Sequence, residues 1–129
     1  MSFDGETGPY IEYCYARINS IFRKLESNIE KYIQNSDVSF LKEKNEFEMV
    51  KELAKYPLII EESATNFKPS IIAHYMLGLA QKFNEFYHAN PILSSDEDTK
   101  KARLYLIYCV QTVLKSSMKL LNIEEIYEM

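Results

Sequence analysis

The chain has 129 residues, of which 47% are hydrophobic, so it is long enough to form one domain with a sizeable core. It has no apolar run of about eighteen residues and no basic stretch followed by an apolar one, so we expect neither a membrane span nor a signal peptide. The net charge of −4 argues against tight binding of nucleic acid through phosphate contacts alone, but it permits a chain that reads a few unstacked bases.

The hydrophobic pattern is helical. Gly and Pro are sparse, at 3 and 4 residues, and nothing alternates as a strand would. We therefore expect an all-α bundle of about five helices, with residues 1–129 forming a single domain. The predicted helices run from Pro9 to about Lys31, Glu46 to Lys55, Leu58 to Asn66, Ser70 to about His88, and about Asp96 to Leu121. Between the first two helices we expect a loop over Asp37 to Asn45 that contains one helical turn.

The first predicted helix has two adjoining faces. One is an apolar stripe that consists of Ile11, Cys14, Ile18, Ile21, Phe22 and Leu25. The other, beside it, carries Tyr10, Tyr13, Arg17 and Lys24. Tyrosine and arginine side chains stack, donate hydrogen bonds and attract phosphate, so this second face is a candidate for holding a base. The alternative is that Tyr10 and Tyr13 simply widen the core.

The other predicted helices each have an apolar side. For the second and third helices these sides are Phe47, Val50, Leu53 and Ala54, and then Leu58, Ile59, Ala64 and Phe67. For the fourth helix the core residues are Ile72, Tyr75, Met76, Leu79, Phe83 and Phe86, and for the fifth they include Ala102, Leu106, Cys109, Val110, Val113, Leu114 and Leu121. Asn84 and Tyr87 lie together at the border of the fourth helix, where they either end the helix or offer an amide and a stacking ring.

The sequence contains little that suggests catalysis. It has no glycine motif for phosphate, and His74 and His88 lack partners at a metal-binding spacing. We therefore expect no catalytic residue and no metal site in this chain. The two cysteines, Cys14 and Cys109, lie on apolar faces and form no CxxC motif, which is typical of buried thiols in a reducing cytoplasm.

Three blocks of sequence resemble the C-terminal anticodon-binding domain of arginyl-tRNA synthetase, the DALR-type helical bundle. They are Gly5-Glu6-Thr7-Gly8-Pro9-Tyr10 with Tyr13, Ala16 and Arg17; Leu79-Ala80-Gln81 through Phe83-Asn84 and Phe86-Tyr87-His88; and Ala102-Arg103-Leu104 through Val113-Leu114, Leu120-Leu121 and Met129. The resemblance covers nearly the whole chain. It implies that the bundle binds the anticodon loop of arginine tRNA, whose anticodons share a central C, with splayed bases stacked on tyrosines. The positions that match the family's anticodon contacts are Tyr10, Tyr13, Arg17, Asn84, Tyr87 and Met129.

The resemblance also implies what other parts of such an enzyme supply. The HIGH-type and KMSKS-type signatures for ATP are absent, so the chain is expected to be a fragment of a longer cytoplasmic arginine–tRNA ligase, or else a stand-alone relative. The expected partners are arginine tRNA and the catalytic domain of that ligase; ATP with Mg would belong to the latter, and no cofactor to this chain. The chain departs from the family at Glu128, since an arginine often precedes the final methionine.

Two further expectations concern partners. Truncation would uncover apolar surface, which favours self-association of the chain. The alternative function is a helical protein–protein interaction module without RNA binding, in which Tyr10, Tyr13 and Tyr87 form the centre of an interface.

Overall fold

The computed structural model describes residues 7–25 and 28–128, with only the helical backbone described at residues 7 and 122–128. These residues form α1 (Thr7–Arg23), α2 (Ile29–Tyr32), a 3-10 turn (Val38–Phe40), α3 (Lys44–Ala54), α4 (Tyr56–Asn66), α5 (Pro69–Ala89) and α6 (Glu97–Glu128). No β-strand occurs in this part of the chain. Five of the helices have 11 residues or more, so the predicted all-α bundle is confirmed.

The bundle is built around α5, which packs against α1, α3, α4 and α6. All six predicted core residues of α5, Ile72, Tyr75, Met76, Leu79, Phe83 and Phe86, are buried. Burial of one such large apolar side chain contributes about 1.5–3 kcal/mol. The hydroxyl that Tyr75 brings into the core donates to the Glu52 carbonyl at 2.6 Å, so its burial leaves no polar group unpaired.

The first helix is shorter than predicted, because α1 ends at Arg23 and not near Lys31. The amides of Lys24 and Leu25 turn back to carbonyls three residues earlier, which is the tightening typical of a helix end. Asn28 then caps the separate one-turn helix α2, its side chain accepting from the Glu30 amide at 2.8 Å. Sequence reasoning placed Asn28 inside a helix, although its side chain favours a cap.

The apolar side predicted for α3 is only partly correct, since Leu53 packs against the core but Ala54 is exposed. The buried residues of α3 are Glu46 and Met49, whereas Phe47 is 51% and Val50 43% exposed. The helix is turned in this way because Glu46 has an interior partner. Its carboxylate accepts from Arg103 Nε of α6 at 2.6 Å and from the Glu43 amide at 2.8 Å. A charged residue that is fully paired can lie inside a core, and an apolar wheel does not anticipate it.

Arg103 continues this buried network into the loop between α5 and α6. Its Nη1 donates to the Pro91 carbonyl at 2.6 Å and to Ser95 Oγ at 2.9 Å. Both charged side chains are nearly inaccessible, with Arg103 8% and Glu46 0% exposed. The ion pair therefore ties α3, α6 and the loop 90–96 together.

The apolar side predicted for α4 is likewise only partly correct. Ile59 is half-buried, but Leu58 is 67% and Phe67 89% exposed, and the buried residue is Ser63. The Ser63 hydroxyl donates to the Lys68 carbonyl at 2.9 Å, which holds the turn after the helix. Phe67 ends α4 in the left-handed region at φ 53°, a position that directs its ring into solvent.

The last helix begins close to the predicted position and extends beyond the predicted end. The Asp96 carboxylate accepts from the Thr99 side chain and from the Thr99 amide, the latter at 3.3 Å, and these bonds hold the pKa of the Asp96 carboxyl below its usual range. The helix continues to Glu128, past the predicted end at Leu121.

Helix α2 is fastened to α6 by the Tyr32 hydroxyl, which donates to Glu97 Oε1 at 2.5 Å. Among the described helices, none is both long and apolar enough to cross a membrane.

Candidate nucleic-acid interface

Three of the residues singled out in the sequence meet on the surface between α1 and α5. The Arg17 guanidinium carbon lies 4.8 Å from the centre of the Tyr13 ring and 4.5 Å from the centre of the Tyr87 ring. The guanidinium also donates a hydrogen bond to the Tyr13 hydroxyl. Tyr13, Arg17 and Tyr87 are called the Tyr–Arg–Tyr cluster below.

The local sequence explains how α1 presents its part of the cluster. Ile11, Cys14, Ile18 and Ile21 are buried and fix the inner face of the helix. Tyr13 and Arg17, four residues apart, then share the outer border, where the Tyr13 side chain is 57% exposed. The buried residues of α1 thus hold the cluster on its inner side, and its outer side is open to solvent.

Tyr87 is held in place by its own helix. Its ring centre lies 5.9 Å from that of Phe83, which is buried, and 5.5 Å from that of His88, which meets it edge-on. Aromatic pairs of this kind fix the orientation of a ring, in addition to burying part of its surface. His88 is exposed and beside the cluster, a placement that sequence reasoning missed because it weighed His88 only as a metal ligand. Its position next to Tyr87 in the chain was the available signal.

Tyr10 and Asn84 lie one helical turn before Tyr13 and Tyr87, on α1 and α5 respectively. Both are half-buried, and Tyr10 packs against the core, as the alternative interpretation expected. No described side-chain hydrogen bond joins either of them to the cluster. Met129, the remaining predicted contact, lies outside the described residues.

The thiol of Cys14 lies under this surface and is unreactive, because it stays protonated. Burial raises the pKa of Cys14 to about 12, and the nearby Arg17 charge only partly opposes that shift. Cys109 is half-buried, and burial raises its thiol pKa as well. Both cysteines are free, so each is a protonated packing residue near neutral pH.

A groove that the sequence did not predict lies on the other side of α1. Its volume is about 680 Å³, and α1, α2 and α6 line it with Tyr15, Asn19, Phe22, Arg23, Asn28, Ile29, Glu30, Tyr108, Gln111, Thr112 and Lys115. Gln111 Nε2 donates to Asn19 Oδ1 at 2.6 Å across its floor. Assembly of the groove needs three helices at once, so periodicity within one helix could not reveal it.

The chemical capacity of the cluster is that of a binding surface. It offers two aromatic faces, one fixed positive charge and phenolic hydroxyls, which are groups that bind bases and phosphate. Within residues 7–25 and 28–128, no three His, Cys, Asp or Glu side chains gather in a way that could hold a metal ion. The arrangement therefore suits recognition of a planar, anionic ligand.

The proteins compared below, which are similar to this chain, carry the name arginine–tRNA ligase or arginyl-tRNA synthetase. The Clostridium kluyveri arginine–tRNA ligase is 44% identical over 131 residues, covering 100% of this chain and 23% of that protein. The Halothermothrix orenii arginine–tRNA ligase is 40% identical over 124 residues, covering 96% of this chain and 21% of that protein. Among solved structures, Thermus thermophilus arginyl-tRNA synthetase superposes with a TM-score of 0.80 at 31% identity, covering 93% of this chain and 21% of that one.

This chain therefore spans between a fifth and a quarter of the length of these curated relatives. Residues 11–129 match the family model described as the DALR anticodon binding domain, which is nearly the whole chain. The helical architecture and this match lead to one conclusion: the chain belongs to the DALR anticodon-binding domain family.

Proposed function

We propose that this chain binds the anticodon loop of arginine tRNA as part of an arginine–tRNA ligase. The observation that carries the proposal is the Tyr–Arg–Tyr cluster, in which α1 and α5 place a positive charge between two tyrosine rings. Membership of an anticodon-binding family gives that surface a ligand class, since unstacked bases are the usual targets of aromatic side chains. The names of the relatives supply the tRNA and the reaction of the larger enzyme.

In the proposed complex, splayed bases stack on Tyr13 and Tyr87, and Arg17 contacts the phosphate backbone. Stacking of one base on an aromatic side chain contributes about 1–3 kcal/mol and tolerates any base. Selectivity for the central C therefore comes from hydrogen bonds to the edge of the base. Tyr10 and Asn84 lie one turn from the two rings and offer a hydroxyl and an amide for that purpose.

The chemical reaction belongs to the rest of the ligase. In this proposal the chain contributes tRNA binding, and the catalytic domain, as partner, contributes the sites for arginine and for ATP with Mg. The net charge of −4 fits that division, because a chain with this balance does not hold an RNA backbone unaided. Weak binding by the chain alone is the expected result.

The proposal is tested with a fluorescent stem-loop that carries an arginine anticodon, titrated with the chain at low salt. A second stem-loop with the central C changed to U is the matched control. We expect the dissociation constant to rise roughly 5- to 150-fold for the altered loop, since one lost bidentate edge contact costs about 1–3 kcal/mol. Equal affinity for the two loops would contradict anticodon reading.

A protein-binding function is the second candidate, because α3 exposes Phe47 and Val50, and exposed apolar side chains are typical of surfaces that bind another protein. The same observation motivates the expected self-association. Salt separates the two functions, since RNA binding weakens steeply with salt and an apolar interface changes little. Sedimentation over a dilution series tests self-association, and a monomeric mass at every concentration would rule it out.

A further inference from the structure

In the unbound chain, the ring faces that Tyr13 and Tyr87 turn toward Arg17 are already covered. The Arg17 guanidinium carbon is 4.8 Å from one ring centre and 4.5 Å from the other, so it lies against both Tyr13 and Tyr87. A stacked base needs the same space, because two flat groups cannot share one face of a ring at contact distance. The cluster therefore cannot take a base between its rings without moving Arg17.

The other sides of Tyr87 are less available. Phe83 and His88 have ring centres within 5.9 Å and 5.5 Å of it, and Phe83 belongs to the buried core. The guanidinium contacts Tyr87 from α1, on the side where the more exposed Tyr13 lies. A base that stacks on Tyr87 thus enters where the guanidinium now lies.

We propose that Arg17 occupies the base-stacking position between Tyr13 and Tyr87 in the free chain and leaves it when RNA binds. The entering base takes the ring faces, and the displaced guanidinium moves to the RNA backbone and pairs with a phosphate. This inference rests on the proposed function and adds a mechanism to it. Arg17 is thereby both the group that holds the empty site in shape and the group that anchors the ligand.

The contacts of Arg17 make this exchange favourable. A cation over an exposed ring is held more weakly than a base stacked on it. Among the described side chains, no carboxylate lies within ion-pair distance of Arg17, so its departure breaks no salt bridge to any of them. A guanidinium binds phosphate through paired hydrogen bonds, which replace the single bond to the Tyr13 hydroxyl.

The first test follows the Arg17 side chain by NMR during titration with the arginine stem-loop. Ring currents from the two tyrosines shift its Nε–Hε signal upfield in the free chain, and we expect that shift to disappear as RNA is added. An Arg17 signal that keeps its upfield position while the Tyr13 and Tyr87 ring signals move would overturn the exchange. If none of these signals moves, the proposed function itself fails.

The second test compares Arg17→Ala with Arg23→Ala, which removes the same charge from α1 at the groove on its other side. At low salt, Arg17→Ala binds the stem-loop several-fold more weakly because a phosphate contact is lost, and its salt slope falls by about 1. As salt screens that contact, the variant becomes the tighter binder, because its ring faces are already free. The affinity of the Arg23→Ala variant approaches that of the unchanged chain as salt rises, but does not exceed it. An Arg17→Ala variant that stays weaker at every salt concentration would contradict the exchange.

Discussion

Two arginines connect helices in this bundle, and their surroundings are opposite. Arg103 is 8% exposed, and its guanidinium donates hydrogen bonds to the Glu46 carboxylate, the Pro91 carbonyl and the Ser95 hydroxyl. Arg17 lies at the surface between two rings and donates to one phenolic hydroxyl. One arginine has an interior carboxylate as partner, whereas the other has aromatic faces beside solvent.

The difference separates a structural arginine from one that is able to bind a ligand. A buried charge needs its partner, because an unpaired charge in the core is far more costly than an unpaired charge in water. An exposed guanidinium over aromatic rings loses little when it moves. The sequence singled out Arg17 on the tyrosine face of α1 and assigned no role to Arg103, whose interior partners only the structure shows.

Loss of the buried arginine should give the largest effect. We expect Arg103→Ala to lower the free energy of unfolding by about 3–5 kcal/mol, because the Glu46 carboxylate stays buried without its partner. Arg17→Ala should cost about 1–2 kcal/mol, since Arg17 contacts two rings and each cation–ring contact contributes about 0.5–1 kcal/mol. Chemical denaturation followed by circular dichroism measures both.

A double variant checks the cause of that loss. Replacing both partners with apolar residues, Glu46→Met with Arg103→Leu, removes the unpaired charge and should recover much of the stability. If the double variant is as unstable as Arg103→Ala, the lost bonds to the loop 90–96 dominate. Equal costs for Arg103→Ala and Arg17→Ala would erase the distinction between the two arginines.

Removal of a stacking ring should give an intermediate effect, on binding and not on folding. We expect Tyr87→Leu to weaken stem-loop binding by about 1–3 kcal/mol, or roughly 5- to 150-fold, through loss of one base–ring contact. Tyr105→Leu is the control for loss of a tyrosine ring away from the cluster, since Tyr105 lies on α6 and is 39% exposed. Fluorescence anisotropy compares the variants, and equal losses for the two would show that Tyr87 has no special role.

The smallest effect concerns the thiol beneath the cluster. The pKa of Cys14 is raised by burial from 9.0 to about 12, so its protonated form is favoured in the folded chain. Between these values the unfolded chain loses the proton first, and stability therefore falls as pH rises from 9.0 to about 12. Denaturation across this pH range should show a shallower fall for Cys14→Ala than for the unchanged chain. Parallel curves would mean that Cys14 does not titrate as its burial requires.

The sequence predicted the parts of the fold that depend on apolar periodicity. All the predicted core residues of α5 are buried, because a central helix hides its whole apolar stripe. The prediction was only partly right for α3, where Leu53 packs against the core but the pairing of Glu46 with Arg103, 57 residues away in the chain, decides which side faces inward. It failed at Asn28, where a side-chain cap prevails over a helical pattern.

For the candidate site, the sequence nominated residues but could not predict their arrangement. Tyr13 and Arg17 are four apart on α1, so their contact follows from helix geometry. The contact between Arg17 and Tyr87 joins α1 to α5, and no single-helix pattern contains it. Tertiary packing is therefore what turns a tyrosine-rich helix border into a cluster with a defined geometry.

A map of the amide shifts caused by the arginine stem-loop tests most directly whether the Tyr–Arg–Tyr cluster binds the anticodon. The shifts should concentrate on α1 and α5 around Tyr13, Arg17 and Tyr87, and they should shrink when the central C is changed to U. Shifts that concentrate instead on the groove residues Tyr15, Tyr108 and Gln111 would rule out the cluster as the binding surface and place RNA on the other side of α1.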